Sequence, residues 1–96
     1  MARVKLSGDE LARRAAALPS WSVANERLSR SFSFPDFQTA LDFVNRVGAA
    51  AEEMNHHPDI QLGWGKAAFE IWTHDAGGIT VNDFELAKRI DALAGR

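Results

Sequence analysis

The chain has 96 residues, 46% of them hydrophobic and 25% charged, with no cysteine and a formal charge of −2. That length holds one compact domain, residues 1–96, burying roughly 60 to 65% of its unfolded surface without covalent staples. The composition excludes a disordered tail, the missing cysteine excludes disulfides, iron–sulfur ligation and cysteine-containing zinc patterns, and the weak negative charge offers no general attraction to nucleic acid.

No segment approaches the ~18 to 20 apolar residues of a membrane span, and Met1 to Glu10 lacks the apolar run of a signal peptide. The expectation is a cytoplasmic protein that engages neither membrane nor nucleic acid. Along the chain, Ser7-Gly8-Asp9-Glu10 has capping-box spacing, and Leu11, Ala15 and Leu18 recur at helical intervals until Pro19. Phe32 and Phe34 then alternate with Ser31 and Ser33 as in a half-buried strand, and an Asn25-Glu26 turn makes Trp21 to Ala24 its hairpin partner.

Pro35-Asp36 opens a second helix with two apolar stripes. One runs through Phe37, Leu41, Val44, Ala51 and Met54, the other through Ala40, Phe43, Val47, Ala50 and Met54. So much apolar surface on one helix points to self-association, unless the first and third helices cover it. After Pro58, Ile60, Leu62 and Trp64 alternate, a Gly65-Lys66 turn follows, and Ala67, Phe69, Ile71 and Thr73 alternate with Ala68, Glu70, Trp72 and His74 as a second hairpin. Gly77-Gly78 breaks the strand, Thr80 to Asp83 caps a last helix, and Phe84, Ala87, Ile90 and Leu93 give it one apolar face. The expected class is α+β, in the order α-β-β-α-β-β-α, with a four-stranded, mostly antiparallel sheet covered by helices on one face.

All three histidines lie between positions 56 and 74. Histidine is the side chain whose unperturbed pKa lies near neutrality, so the grouping points to proton transfer or metal binding. If the second helix runs on to His56, Glu52 lies four residues before it on the same face and can orient its ring. Pro58 disfavours the helical region for His57, so the helix should end there and the two rings should diverge. His74 is at a strand end, facing away from the core. Asp83 reads locally as the first-turn acid of a capping box, a role compatible with a functional one. Adjacent histidines splay apart and no His-x-x-x-His pair is present, so no metal is expected.

The pattern Glu52-x-x-x-His56-His57-Pro58, five residues, Trp64, nine residues, His74, eight residues and Asp83 resembles the signature of the pterin-4a-carbinolamine dehydratases. The likeness extends from about Leu18 to Leu93 and includes Thr73-His74-Asp75-x-Gly77-Gly78-x-Thr80. It implies elimination of water from a 4a-hydroxytetrahydropterin, giving the quinonoid dihydropterin recycled after aromatic amino acid hydroxylation. It also implies that pterin is the substrate, that no cofactor is needed, and that the protein is a homodimer or homotetramer.

By the same resemblance His56 and His74 form the acid–base pair, in either assignment, and His57 mainly holds substrate. Glu52 and Asp83 orient imidazoles or accept hydrogen bonds from the pterin, and Trp64 lines the pocket or belongs to the hairpin core. The competing implication is a non-catalytic dimerisation cofactor or assembly factor on the same fold. Retention of all three histidines favours the enzyme.

Overall fold

The computed structural model describes residues 4–95. Helix α1 (Gly8–Ala16) is followed by a hairpin of β1 (Ser22–Ala24) and β2 (Arg27–Ser33), helix α2 (Phe37–Met54), a hairpin of β3 (Asp59–Gly63) and β4 (Lys66–Ile71), a one-turn 3-10 helix (His74–Ala76) and helix α3 (Val81–Ala94). All three strand pairings are antiparallel, in the spatial order β1-β2-β4-β3. The α-β-β-α-β-β-α order and the sheet read from the sequence are therefore present.

Local chemistry explains most boundaries. Asn25 and Glu26 both have positive φ, 53° and 62°, as a two-residue hairpin loop matched to strand twist requires. Asp36 caps α2 by accepting the Thr39 N–H at 2.8 Å. Ser7 sits at the N-cap of α1 without a side-chain cap bond. Glu10, expected to complete a box there, instead binds Arg13 and Arg14, because two guanidiniums outbid one backbone amide for a carboxylate.

The second hairpin turns one residue earlier than its sequence indicates. Gly63 pairs with Lys66, so Trp64 and Gly65 form the loop. Gly65 has φ +71°, its carbonyl accepts the Phe34 N–H at 2.8 Å, and a Cβ there would sit 3.0 Å from the Phe34 carbonyl oxygen. Only glycine meets both conditions without strain.

The helix-covered face carries Leu28, Phe32, Ala67, Phe69 and Ile71, packed against Phe43, Val47 and Ala51 of α2 and Leu86, Ala87 and Ile90 of α3. Phe43 lies 5.1 Å from Phe32 and 5.8 Å from Phe69 between ring centroids. Full burial of each such ring stabilises by about 1.5 to 3 kcal/mol. Asp91 of α3 accepts from Trp21 Nε1 at 2.9 Å and Arg30 at 2.7 Å, tying α3 to the first hairpin. On α2 the Ala40, Phe43, Val47, Ala50 stripe is the buried one. Phe37 on the other stripe remains 43% exposed, and Leu41 and Val44 are half-buried.

Candidate active site

The register of the second hairpin brings the two histidine-bearing segments to the same end of the sheet. Asp59 pairs with Glu70, so the residues before β3 and those after β4 leave the sheet side by side. His56 and His57 lie on the first segment, Thr73 and His74 on the second.

Helix α2 ends two residues before His56. Asn55 adopts the left-handed conformation (φ 52°, ψ 43°), its N–H bonds the Glu52 carbonyl at 3.1 Å, and the His56 N–H bonds the Ala51 carbonyl at 3.0 Å. These two bonds form a Schellman motif, and asparagine tolerates the positive φ it needs. Asn55, rather than Pro58, therefore stops the helix, and the Glu52–His56 pairing expected from helical spacing does not form. Glu52 reaches His57 instead, with Oε2 2.5 Å from Nε2 and both side chains exposed.

His56, released from the helix, turns inward. It is 7% exposed, and its Nε2 lies 2.5 Å from Oδ1 of Asp83, which is fully buried. The other carboxylate oxygen accepts the Thr80 N–H at 2.7 Å and the Thr73 hydroxyl at 3.0 Å, while the Thr73 and Thr80 hydroxyls lie 2.8 Å apart. Asp83 thus serves both as the capping-box acid of α3 and as partner to an imidazole. These bonds compensate its burial.

An acceptor at Oδ1 places the imidazole proton on Nε2, leaving the lone pair on Nδ1. Among the described residues Nδ1 has no hydrogen-bond partner and no sealed side-chain nitrogen or oxygen is left unpaired, so Nδ1 keeps some access to solvent. A buried acid thereby holds an imidazole whose basic atom faces outward.

Thr73 turns in toward Asp83 and His74 turns out. His74 begins the 3-10 turn, is exposed, and stacks on Trp72 with ring centroids 4.5 Å apart and planes at 22°. His56 bonds Asp83 directly, while His74 is linked to it only along the chain, through the bond of its neighbour Thr73. Trp64 is not brought to this end. It is 75% exposed in the β3–β4 loop, and β3 carries it roughly 17 Å away from the histidines at ~3.4 Å per residue. It is neither hairpin core nor part of this chain's histidine cluster.

A groove of about 850 Å³ lies over the uncovered sheet face, lined by Ser22, Ser29, Ser31, Gln61 and Glu70 among others, and meets the histidine end through Pro58 and Asp59. None of the three histidines lines it, and the candidate site is drawn from hydrogen-bond geometry and not from cavity size. Among the described residues no group of three His, Cys, Asp or Glu side chains is arranged to hold a metal ion.

Thr73 and Trp72 were not singled out from the sequence. For Thr73 a signal existed: its place in the inward alternation with Phe69 and Ile71 put a hydroxyl in the core, where it needs a partner. For Trp72 the cross-strand register was needed.

The family profile of pterin 4 alpha carbinolamine dehydratase matches residues 4–93. The chain belongs to this dehydratase family. A Rubrobacter xylanophilus protein provisionally named a pterin-4-alpha-carbinolamine dehydratase is 54% identical over 89 residues, covering 92% of this chain and 83% of its own. One from Chlorobium limicola, also provisionally named, is 48% identical over 92 residues, covering 92% and 81%.

Among solved structures, a transcriptional coactivator/pterin dehydratase from Brucella melitensis superposes with a TM-score of 0.90 at 31% identity, covering 95% of this chain and 99% of that one. A pterin dehydratase-like RuBisCO assembly factor of the alpha-carboxysome superposes with a TM-score of 0.64 at 25% identity, covering 78% and 87%. The dehydratase fold therefore occurs in proteins described by different roles, and this chain's own side chains must carry the functional argument. Among the described residues no helix is long and apolar enough to cross a membrane.

Proposed function

We propose that this member of the dehydratase family eliminates water from a 4a-hydroxytetrahydropterin to give the quinonoid dihydropterin, in support of tetrahydropterin recycling after aromatic amino acid hydroxylation. The observation that carries the reading is the buried Asp83–His56 pair with its outward Nδ1. The reaction breaks the C4a–O bond as the departing hydroxyl gains a proton, while N5 loses its proton and the N5=C4a double bond forms. No electrons are transferred, so acid and base suffice.

His56 takes the N5 proton at Nδ1, and Asp83 stabilises the resulting imidazolium through Nε2–H. His74, exposed to solvent, protonates the leaving hydroxyl and is recharged by water. His57, steadied by Glu52, holds the pterin's polar edge. Asp83 has no surface with which to touch substrate, so its part is orientation. Acid–base assistance of this kind contributes typically ~10²- to 10⁴-fold.

The test is the dehydration rate of substrate generated in place by a phenylalanine hydroxylase, with no protein, the wild-type chain, and its His56→Ala and His74→Ala variants. Acceleration that either substitution largely removes is expected. A wild-type rate equal to the spontaneous one would sink the reading.

The reading includes a homodimer or homotetramer, supported by the apolar edge of α2 that α1 and α3 leave uncovered and by the edge position of β3. A cysteine-free chain fits a reducing cytoplasm. A non-catalytic role is the second reading, favoured by the described role of the 25% identical assembly factor. The inward-held, outward-opening His56 favours catalysis, because a scaffold has no need of a free imidazole lone pair.

A further inference from the structure

We propose that Trp72, itself held by Arg27, is a positioning residue that fixes the orientation of the His74 imidazole. The inference deepens the dehydratase reading and rests on it for its catalytic consequence. It concerns a residue outside the histidine and carboxylate pattern.

His74 lacks the support that the other two histidines have. His56 is tied to Asp83 and His57 to Glu52, whereas among the described residues no hydrogen bond or ion pair reaches the His74 ring. An exposed imidazole without a polar partner samples several rotamers, and a proton donor that wanders loses the geometric part of its advantage. The one directional contact to the ring is the indole face at 4.5 Å, nearly parallel at 22°.

The indole is itself clamped. Leu28 pairs with Ile71 at the end of the β2–β4 ladder, so Arg27 and Trp72 come next in register and share the uncovered face. The Arg27 guanidinium sits 3.9 Å from the Trp72 ring centroid and donates to Glu70 Oε1 at 3.0 Å. Glu70, two residues before Trp72 on the same face, thus anchors the cation over the ring. The 3-10 turn after Thr73 then brings the His74 ring against the same indole.

The indole thus contacts a guanidinium and an imidazole at once, Arg27 through strand register and His74 through the turn. Asp75 follows His74 in the chain, Asp59 lies across the ladder from Glu70, and the Arg27–Glu70 pair neutralises itself beside the indole.

The test compares wild type with Trp72→Leu, which removes the aromatic face, and Trp72→Phe, which keeps a smaller one. Two readouts are taken: NMR positions of the His74 ring protons at fixed pH, and kcat and KM for dehydration. In the wild type the ring protons should be shifted upfield by the indole ring current. That shift should vanish in Trp72→Leu and partly return in Trp72→Phe, with unchanged far-UV circular dichroism in both. A stacked ring pair is worth enough to change kcat by roughly 2- to 12-fold. The Leu variant should lose that much in kcat with little change in KM, and the Phe variant should recover part of it.

Wild-type ring positions in Trp72→Leu, or an unchanged kcat despite a lost ring shift, would overturn the proposal. So would a loss confined to KM, which would make Trp72 a pterin-binding surface. A wild-type protein that does not accelerate dehydration defeats the functional reading separately, and the ring positions alone then decide whether Trp72 orients His74.

Discussion

Replacing Asp83 with asparagine separates the two roles of this carboxylate. The amide carbonyl can still accept the Thr80 N–H and the Thr73 hydroxyl now served by Oδ2 at 2.7 and 3.0 Å. The amide NH₂ then faces His56 Nε2, now 2.5 Å from Oδ1, and a donor facing that nitrogen forces it to become an acceptor. The ring proton moves to Nδ1, and the atom open to solvent changes from a base to a donor. The expected kinetic cost is the general-base contribution, roughly 10²- to 10⁴-fold in kcat.

The structural cost is smaller. Charge-assisted bonds of about 1.5 to 3 kcal/mol become neutral ones of about 0.5 to 1.5, a loss of roughly 1 kcal/mol per bond that is offset in part because a charge no longer has to be buried. In a domain of this size each kcal/mol lowers Tm by about 4 to 8 °C. Asp83→Ala is less informative, because it strands three buried donors at roughly 1 to 3 kcal/mol each, comparable with the whole stability of a domain. Circular dichroism melts and dehydration rates on the same Asp83→Asn sample decide the matter. A folded variant that dehydrates at the wild-type rate would refute the assignment of Nδ1 as the base.

Other consequences are simpler. Hydrogen bonds from the Thr39 hydroxyl and then its amide hold the Asp36 carboxyl below its usual pKa, and Arg14 followed by Arg13 does the same for Glu10. A carboxyl depressed in the folded state stabilises above its unfolded pKa and stops doing so as pH falls through the folded value, so urea midpoints should drop below roughly pH 4. Asp36→Asn should flatten that drop, and salt should weaken it. Phe43→Ala, at the centre of the ring cluster, should lower stability by about 3 to 5 kcal/mol in urea melts. Trp64→Ser should change it by no more than about 0.5 kcal/mol, the range for exposed positions. Phe37→Glu should reduce the mass seen by light scattering at micromolar concentration while leaving the fold intact, and an already monomeric wild type would remove the self-association reading.

The sequence was most legible where one local rule acted without competition. Alternation marked the strands, Thr80-x-x-Asp83 marked the start of α3, and Asn25-Glu26 marked its hairpin loop. It was least legible where two local rules competed. Pro58 is a conspicuous helix stop, but Asn55 could adopt the left-handed cap and ended α2 first. That small shift moved Glu52 from His56 to His57. Trp64 falls in the loop and not on the strand for a similar reason, since the glycine needed at positive φ fixes the loop one residue earlier. The Asp83–His56 bond joins residues 27 positions apart, and no local pattern encodes such a contact. Only the hairpin register and the packing of α3 bring the two together.

The double use of Asp83 bears on how this fold can lose activity and keep its shape. Its Oδ2 is required by the first turn of α3 whether or not a histidine occupies Oδ1, because the buried Thr80 N–H and Thr73 hydroxyl need an acceptor. The carboxylate is therefore under a structural demand that survives the loss of catalysis. His56, His57 and His74 are under no comparable demand: two are exposed, and the third uses a single bond to reach its partner. On this fold the aspartate alone is weak evidence for dehydration, and the imidazoles around it are strong evidence. His56→Gln tests the point, since an amide can still donate to Asp83 while offering no basic atom to substrate. It should keep Tm within about 4 to 8 °C of wild type, a difference of about 1 kcal/mol, and lose most of the acceleration. A collapse of the fold in that variant would show that the imidazole itself is structural and would reverse the inference.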